Sequence, residues 1–178
     1  MFDLINPELA AGATKELLDN TLRQLGRVPN LYRAMAHSPA ALEGYLAFRG
    51  ALQSGTLDNP MRERIALLTA QRNACDYCVD AHSFRSQKLG LTAQDIDDTR
   101  HARSGSPKTH AALAFVAEVI EARGAAQDST REALVAHGWT EAEIGEMVAH
   151  VALNVFSNYF KQVAGPTPDF PRAPELSR

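Results

Sequence analysis

Residues 72–82 read RNACDYCVDAH and hold both cysteines of a 178-residue chain. Cys75 and Cys78 stand three residues apart, and His82 follows four residues later. At about 100° per residue the three side chains share a helical face roughly 60° wide. Positions i and i+3 approach to roughly 5–6 Å between Cβ atoms, longer than a relaxed disulfide prefers. A Cys75–Cys78 bond is therefore feasible with local adjustment and is expected to be easily reduced, as catalytic disulfides are. If the pair opens a helix, the helix dipole favours a thiolate there. His82 is one turn from Cys78 and placed to take its proton, directly or through a water.

A carboxylate that orients the histidine would complete such a relay. Glu63 lies 15 residues before Cys78, about 22 Å away on one unbroken helix. It joins the site only if the chain turns back between two helices. Asn73 and Asp76, within QRNACD, favour turns and caps and allow that break. Read alone, Glu63 in RERIALLTA is a solvated residue of a charged turn. The C-x2-C-x3-H spacing also offers three zinc ligands, but no second Cys/His pair follows at finger or ribbon spacing. Redox use is thus favoured over metal binding, and no metal or bound cofactor is expected. Two small buried hydrophobes would be the plainest reading of the cysteines, but it leaves His82 on the same face unexplained.

Outward from this segment the chain reads as all-α. Leu17, Leu18, Leu22 and Leu25 share one face of a helix that stops at Gly26. Pro29 precedes a short helix. Ser38–Pro39 and Asn59–Pro60 each open a helix, the first ending near Gly55. A helix from about Cys75 to Leu89 ends at Gly90. Thr92 caps a short one through Asp98, and Pro107 starts another. Ser129 caps a short helix to His137. Thr140 with Glu143 forms a capping box for the last long helix, to about Val163. The expected division is a single helical domain over 1–165 and an extended Pro-rich tail over 166–178. The tail is expected to lie on its own body or on a neighbouring subunit.

Net charge is −3 and the pI about 6.1, which supplies no basic face for nucleic acid or an anionic membrane. The N-terminus lacks the basic and apolar regions of a secretory signal. No apolar run approaches the roughly 18 residues of a membrane span. A cytoplasmic protein is expected, and in that reducing compartment a close cysteine pair reads as redox-active or metal-binding. There is no Gly-rich phosphate loop to support nucleotide chemistry.

The pattern E-x11-C-x2-C-x3-H over Glu63, Cys75, Cys78 and His82 resembles the core motif of the alkylhydroperoxidase D-like proteins, within the carboxymuconolactone decarboxylase family. LGRVPNLYRAMAHSPAALEGYLAF and NVFSNYFKQVAG resemble its peroxidase-related branch. The likeness covers roughly residues 25 to 170. It implies an all-helical bundle, assembly into trimers or hexamers, and thiol peroxidase chemistry. By position it makes Cys78 peroxidatic and Cys75 resolving, with Glu63 and His82 as proton relay. Its substrate would be hydrogen peroxide or an organic hydroperoxide, its reductant a dithiol partner such as a thioredoxin-like or lipoyl protein. One departure is Tyr77, where the best-known members carry a second histidine. A decarboxylase using Glu63 and His82 as acid–base groups is the enzyme alternative, and a redox-sensing interaction protein the non-enzyme one. Adjacent thiols argue against the first, since proton transfer alone does not need them.

Other polar residues draw plainer readings. Tyr77 is expected as a packed aromatic at a subunit contact, and His150 as a satisfied core or interface histidine. Asn154, Asn158 and Tyr159 are polar groups of the last helix without an assigned role. The apolar surface of AALAFVAEVI and EMVAHVALNVFSNYF predicts a homo-oligomer.

Overall fold

Proline and capping side chains set where each helix begins. In a computed structural model, which describes residues 1–176, nine helices and no strand occur among the described residues. They are α1 (Gly12–Leu25), α2 (Asn30–Met35), α3 (Pro39–Gln53), α4 (Asn59–Arg72), α5 (Asp76–Lys88), α6 (Ala93–Arg100), α7 (Pro107–Glu121), α8 (Asp128–Ala136) and α9 (Glu141–Ala164). Ser38 caps α3 by accepting the Ala41 N–H, and Thr140 with Glu143 closes a capping box on α9.

Two starts differ from expectation. The cap of α4 is Asp58 rather than Asn59, because its charged carboxylate accepts the Met61 N–H at 2.8 Å and suits the positive end of the helix dipole. Helix α8 begins at Asp128, inside Gln127, so Ser129 falls within the first turn and caps nothing. There the Gln127 N–H is held by Glu118 at 2.9 Å, which fixes the entry two residues earlier.

Helix α4 is the central element, packed against α5, α6, α7 and α9. Its run Ile65–Ala70 is buried throughout, which is why IALLTA lacks the one-sided pattern of a surface helix. Leu67 enters a core with Leu18, Met35 and Leu42, which also contains Cys75 and Cys78. Ile65 and Leu68 enter a second core with Leu113, Val116, Leu134 and Met147. Thus α4 joins two apolar clusters, and whatever it carries at its edges is held rigidly. The buried apolar residues of α7 are taken up inside this second core.

Helix α9 ends where Gly165 adopts a left-handed conformation, φ 59°, open to glycine at little cost. From there the chain runs back, without helix, over α2 and α5 of the same molecule. Arg100 donates to the Pro174 carbonyl at 2.7 Å, and the Ala173 N–H donates to Asp80 Oδ1 at 2.8 Å. The last two residues of the expected tail, Ser177 and Arg178, lie outside the described residues.

Leu68 is fully buried in the second core. Leu68→Ala should cost about 2–5 kcal/mol of stability. Urea unfolding checks this, and a loss under about 0.5 kcal/mol would contradict a central α4.

Candidate active site

The site begins with the reversal between α4 and α5. Asn73 closes α4, Ala74 takes a left-handed conformation at φ 51°, and Cys75 is the N-cap of α5. The Cys75 N–H still reaches the Ala70 carbonyl at 2.9 Å, so the turn is tight. From α9, Asn158 Oδ1 accepts from the Asn73 side chain at 3.0 Å, and Gln162 donates to the Asn73 carbonyl at 3.0 Å. The chain thus turns back at Asn73, as the sequence suggests, with α9 clamping the turn.

Antiparallel packing of α4 and α5 brings Glu63 opposite His82. His82 Nδ1 lies 2.7 Å from Glu63 Oε2. Burial, the largest influence on Glu63, opposes its ionisation. His82, then Arg85 and Arg49, more than offset it, and the carboxyl is held below its ordinary range. The carboxylate fixes the ring with Nδ1 toward α4, and among the described residues Nε2 has no partner. Cys75 and Cys78 are joined as a disulfide with Cα atoms 5.2 Å apart. They stand at the first turn of α5, where backbone N–H groups and the helix dipole favour negative charge. All four expected residues are therefore brought together.

Both sulfurs are covered: Cys75 is 0% and Cys78 3% exposed. Much of the cover is the tail. Phe170 packs edge-on against Tyr77 and tilted against Phe84, and it lines with Cys78, Tyr77, His82 and Arg85 a small hollow of about 20 Å³. Asp169 anchors this segment. It accepts from Tyr77 Oη at 2.6 Å and from the Asn30 N–H at 3.0 Å, and pairs with Arg27. Tyr77 is thus packed within its own chain rather than awaiting a subunit, and its hydroxyl is committed. Burial and Asp169 raise its pKa, so it stays neutral.

His150 departs from expectation. It is 5% exposed and its Nε2 has no hydrogen-bond partner. The nearby carboxylate of Glu146 is already occupied by Thr56 and by the Leu57 N–H. Burial and then Arg62 lower the His150 pKa to about 4, so its ring is neutral at pH 7. It lines, with Glu63, His82, Arg49, Arg85 and Asn154, a cavity of about 300 Å³. Sequence reading missed this wall. Arg85 was legible, since it follows His82 by three residues on the same helix. Arg49 comes from α3 and His150 from α9, and no local spacing links them to the motif. Asn158 and Asn154 have structural duties, the first on the turn and the second bonding the His150 carbonyl at 2.8 Å. Among the described residues, no cluster of three or more His, Cys, Asp or Glu is arranged to hold a metal ion.

Removing the Asp169 anchor should expose the disulfide. A hydrogen bond to a charged group contributes about 1.5–3 kcal/mol, so Asp169→Ala should accelerate reduction by dithiothreitol about tenfold. Equal rates, followed by thiol release, would show that the tail is not the barrier.

Residues 39–118 match the sequence model of the carboxymuconolactone decarboxylase family. No curated protein sequence matches the chain. An alkylhydroperoxidase D core, a peroxidase-related protein from Ralstonia eutropha JMP134, superposes with a TM-score of 0.84 at 24% identity, covering 94% of this chain and 91% of that one. A peroxidase-related protein from Silicibacter sp. TM1040 gives 0.78 at 22% identity, over 88% and 84%. The debrominase Bmp8, as a cysteine-to-alanine variant in complex with 2,3,4-tribromopyrrole, gives 0.74 at 15% identity, over 87% and 84%. These likenesses carry the fold. The fold is thus alkylhydroperoxidase D-like, and residues 39–118 are similar to the carboxymuconolactone decarboxylase family.

Proposed function

We propose that this protein is a thiol-dependent peroxidase in which Cys78 attacks the peroxide, Cys75 resolves, and Glu63 and His82 carry the proton. The observation behind this reading is the Glu63–His82 hydrogen bond beside a joined cysteine pair at a helix N-terminus. In the reduced protein, His82 accepts the Cys78 proton and the thiolate attacks the outer peroxide oxygen. The O–O bond breaks, Cys78 becomes a sulfenic acid, and the departing alkoxide takes the proton back from His82 as an alcohol. Cys75 Sγ then attacks Cys78 Sγ, the S–O bond breaks, the Cys75 thiol proton passes to the departing hydroxide, water leaves, and the disulfide forms. A dithiol partner, thioredoxin-like or lipoyl, reduces the disulfide and is itself oxidised. The sum is ROOH + R′(SH)₂ → ROH + H₂O + R′S₂. Cys78 is chosen as nucleophile because His82 is one turn away from it and two turns from Cys75. In this reading residues 1–165 form the catalytic domain and 166–178 the appended tail. No described helix is long and apolar enough to cross a membrane. A cytoplasmic setting suits a disulfide that must be re-reduced every cycle.

The working form is proposed to be a homo-oligomer, a trimer or hexamer. Val148, Phe156, Tyr159 and Val163 run down one side of α9 at helical spacing, and Val163 is 74% exposed. That open stripe needs a cover, and a second copy supplies a matching one.

Two experiments test this reading. Peroxide consumption with dithiothreitol should be steady in the wild type and absent in Cys78→Ser. Cys75→Ser should react once and leave a dimedone-trappable sulfenic acid, and His82→Ala should slow the first step about 10²–10⁴-fold. A Cys78→Ser protein that still destroys peroxide, or turnover of a brominated pyrrole in place of any peroxide, would overturn it. For assembly, light scattering should give a multiple of 19.4 kDa, and Phe156→Glu with Val163→Glu should reduce it to single chains. A wild type that is monomeric at micromolar concentration would refute the oligomer.

A further inference from the structure

We propose that the cavity beside Glu63 and His82 is a carboxylate-binding site, with Arg85 and Arg49 as the anion clamp. The substrates it selects would be organic hydroperoxides carrying a carboxylate several carbons from the peroxide. The substrate half of this rests on the thiol peroxidase reading, whereas the anion site stands on geometry of its own.

The cavity holds about 300 Å³, within the range of small-ligand pockets. A water occupies about 30 Å³, and hydrogen peroxide needs little more, so the space is built for something larger. Its walls carry Arg49, Arg62, Arg85 and Lys88 against the single carboxylate of Glu63. That excess of cations sits in a chain whose net charge is −3, so general composition does not account for it.

The four cations are not equivalent. Arg62 is committed, donating to the Gln53 and Gly55 carbonyls at 3.0 and 3.1 Å. Lys88 leans on the Phe84 ring. Arg85 and Arg49 make no hydrogen bond and no ion pair among the described residues, and Arg85 only faces the Phe170 ring at 5.5 Å. Glu63 cannot serve them fully, since one of its oxygens is held by His82 at 2.7 Å. Two guanidinium forks thus border a concave site with their donors unfilled. Such groups match carboxylates in bidentate geometry, and a sequestered cation is costly until an anion joins it. His150, which lines the same cavity, has a buried and unpartnered Nε2, a further polar atom open to a ligand. Ala66, Leu89 and Leu153 complete an apolar floor suited to a hydrocarbon chain.

The site is connected to the sulfur. His82 and Arg85 line both this cavity and the small hollow at Cys78. Cys78, His82 and Arg85 follow at i, i+4 and i+7 along one face of α5. Seven residues of helix span about 10 Å. A carboxylate seated at Arg85 therefore points a chain of several carbons past His82 toward Cys78, which places the peroxide at the thiol.

The test separates the anion site from the peroxidase reading. Octanoate binding to the oxidised protein, measured by calorimetry, should be detectable, at least tenfold weaker in Arg85→Met, and weakened also in Arg49→Gln. Methyl octanoate should bind at least tenfold more weakly than the acid. With reduced protein, 6-hydroperoxyhexanoate should show at least tenfold higher kcat/KM than its methyl ester. That acid-to-ester ratio should fall toward one in either arginine variant. Octanoate that binds no better than its ester, or binds equally well in both variants, overturns the anion site. Acid and ester turned over equally would overturn the substrate preference. Arginine-dependent octanoate binding without turnover of any peroxide would uphold the site and overturn the peroxidase reading.

Discussion

The Glu63–His82 hydrogen bond ties α4 to α5, and much of the molecule is arranged so that it can form. The two residues belong to different helices, so the bond requires a tight reversal between them. That reversal needs Ala74 in a left-handed conformation, which costs an alanine about 1–2 kcal/mol. The cost is offset by the Asn158 and Gln162 contacts from α9 and by the packing of α4 into two cores. The rigidity of α4 reaches the chemistry through this bond: a carboxylate on a buried helix sets the ring of a histidine, and the histidine sits one turn from a thiol.

Electrostatics follows from the same arrangement. Burial alone would raise the Glu63 pKa, but His82, Arg85 and Arg49 reverse that and hold its carboxyl below the ordinary 4.5. Its contribution to stability is therefore present above about pH 4.5 and is lost as pH falls through the lowered folded value. His150 acts in the same direction. Its folded pKa of about 4 lies below the ordinary 6.5, so the unfolded chain binds the proton first, and stability declines as pH falls through that window. Both groups favour a site that is intact near neutrality, with Glu63 charged and His150 neutral.

The helices and the motif were legible because their signals are local. Ser38–Pro39 and the Thr140–Glu143 box mark helix starts within four residues, and the E-x11-C-x2-C-x3-H spacing needs only one reversal to become a site. Asn73 announced that reversal. The Asp58 cap was lost because Asn59–Pro60 offers a similar signal one residue later. The cavity wall had a local signal only at Arg85. Arg49, Arg85 and His150 come from three helices, and only packing of α3, α5 and α9 around α4 puts them on one cavity. The tail's place over Cys78 was equally hidden, since its prolines exclude helix but do not say which surface an extended segment will cover. Asp169 and Phe170 decide that through Tyr77.

The central claim is that the Glu63–His82 pair exists to make Cys78 a thiolate. The direct measurement is the thiol pKa of Cys78 in the reduced Cys75→Ser protein, followed by thiolate absorbance in the far ultraviolet, with and without His82→Ala or Glu63→Gln. The account predicts a Cys78 pKa below the ordinary thiol value of about 8.5, rising by about one unit or more when either relay residue is changed. A pKa at or above the ordinary value, unmoved by both substitutions, would contradict it.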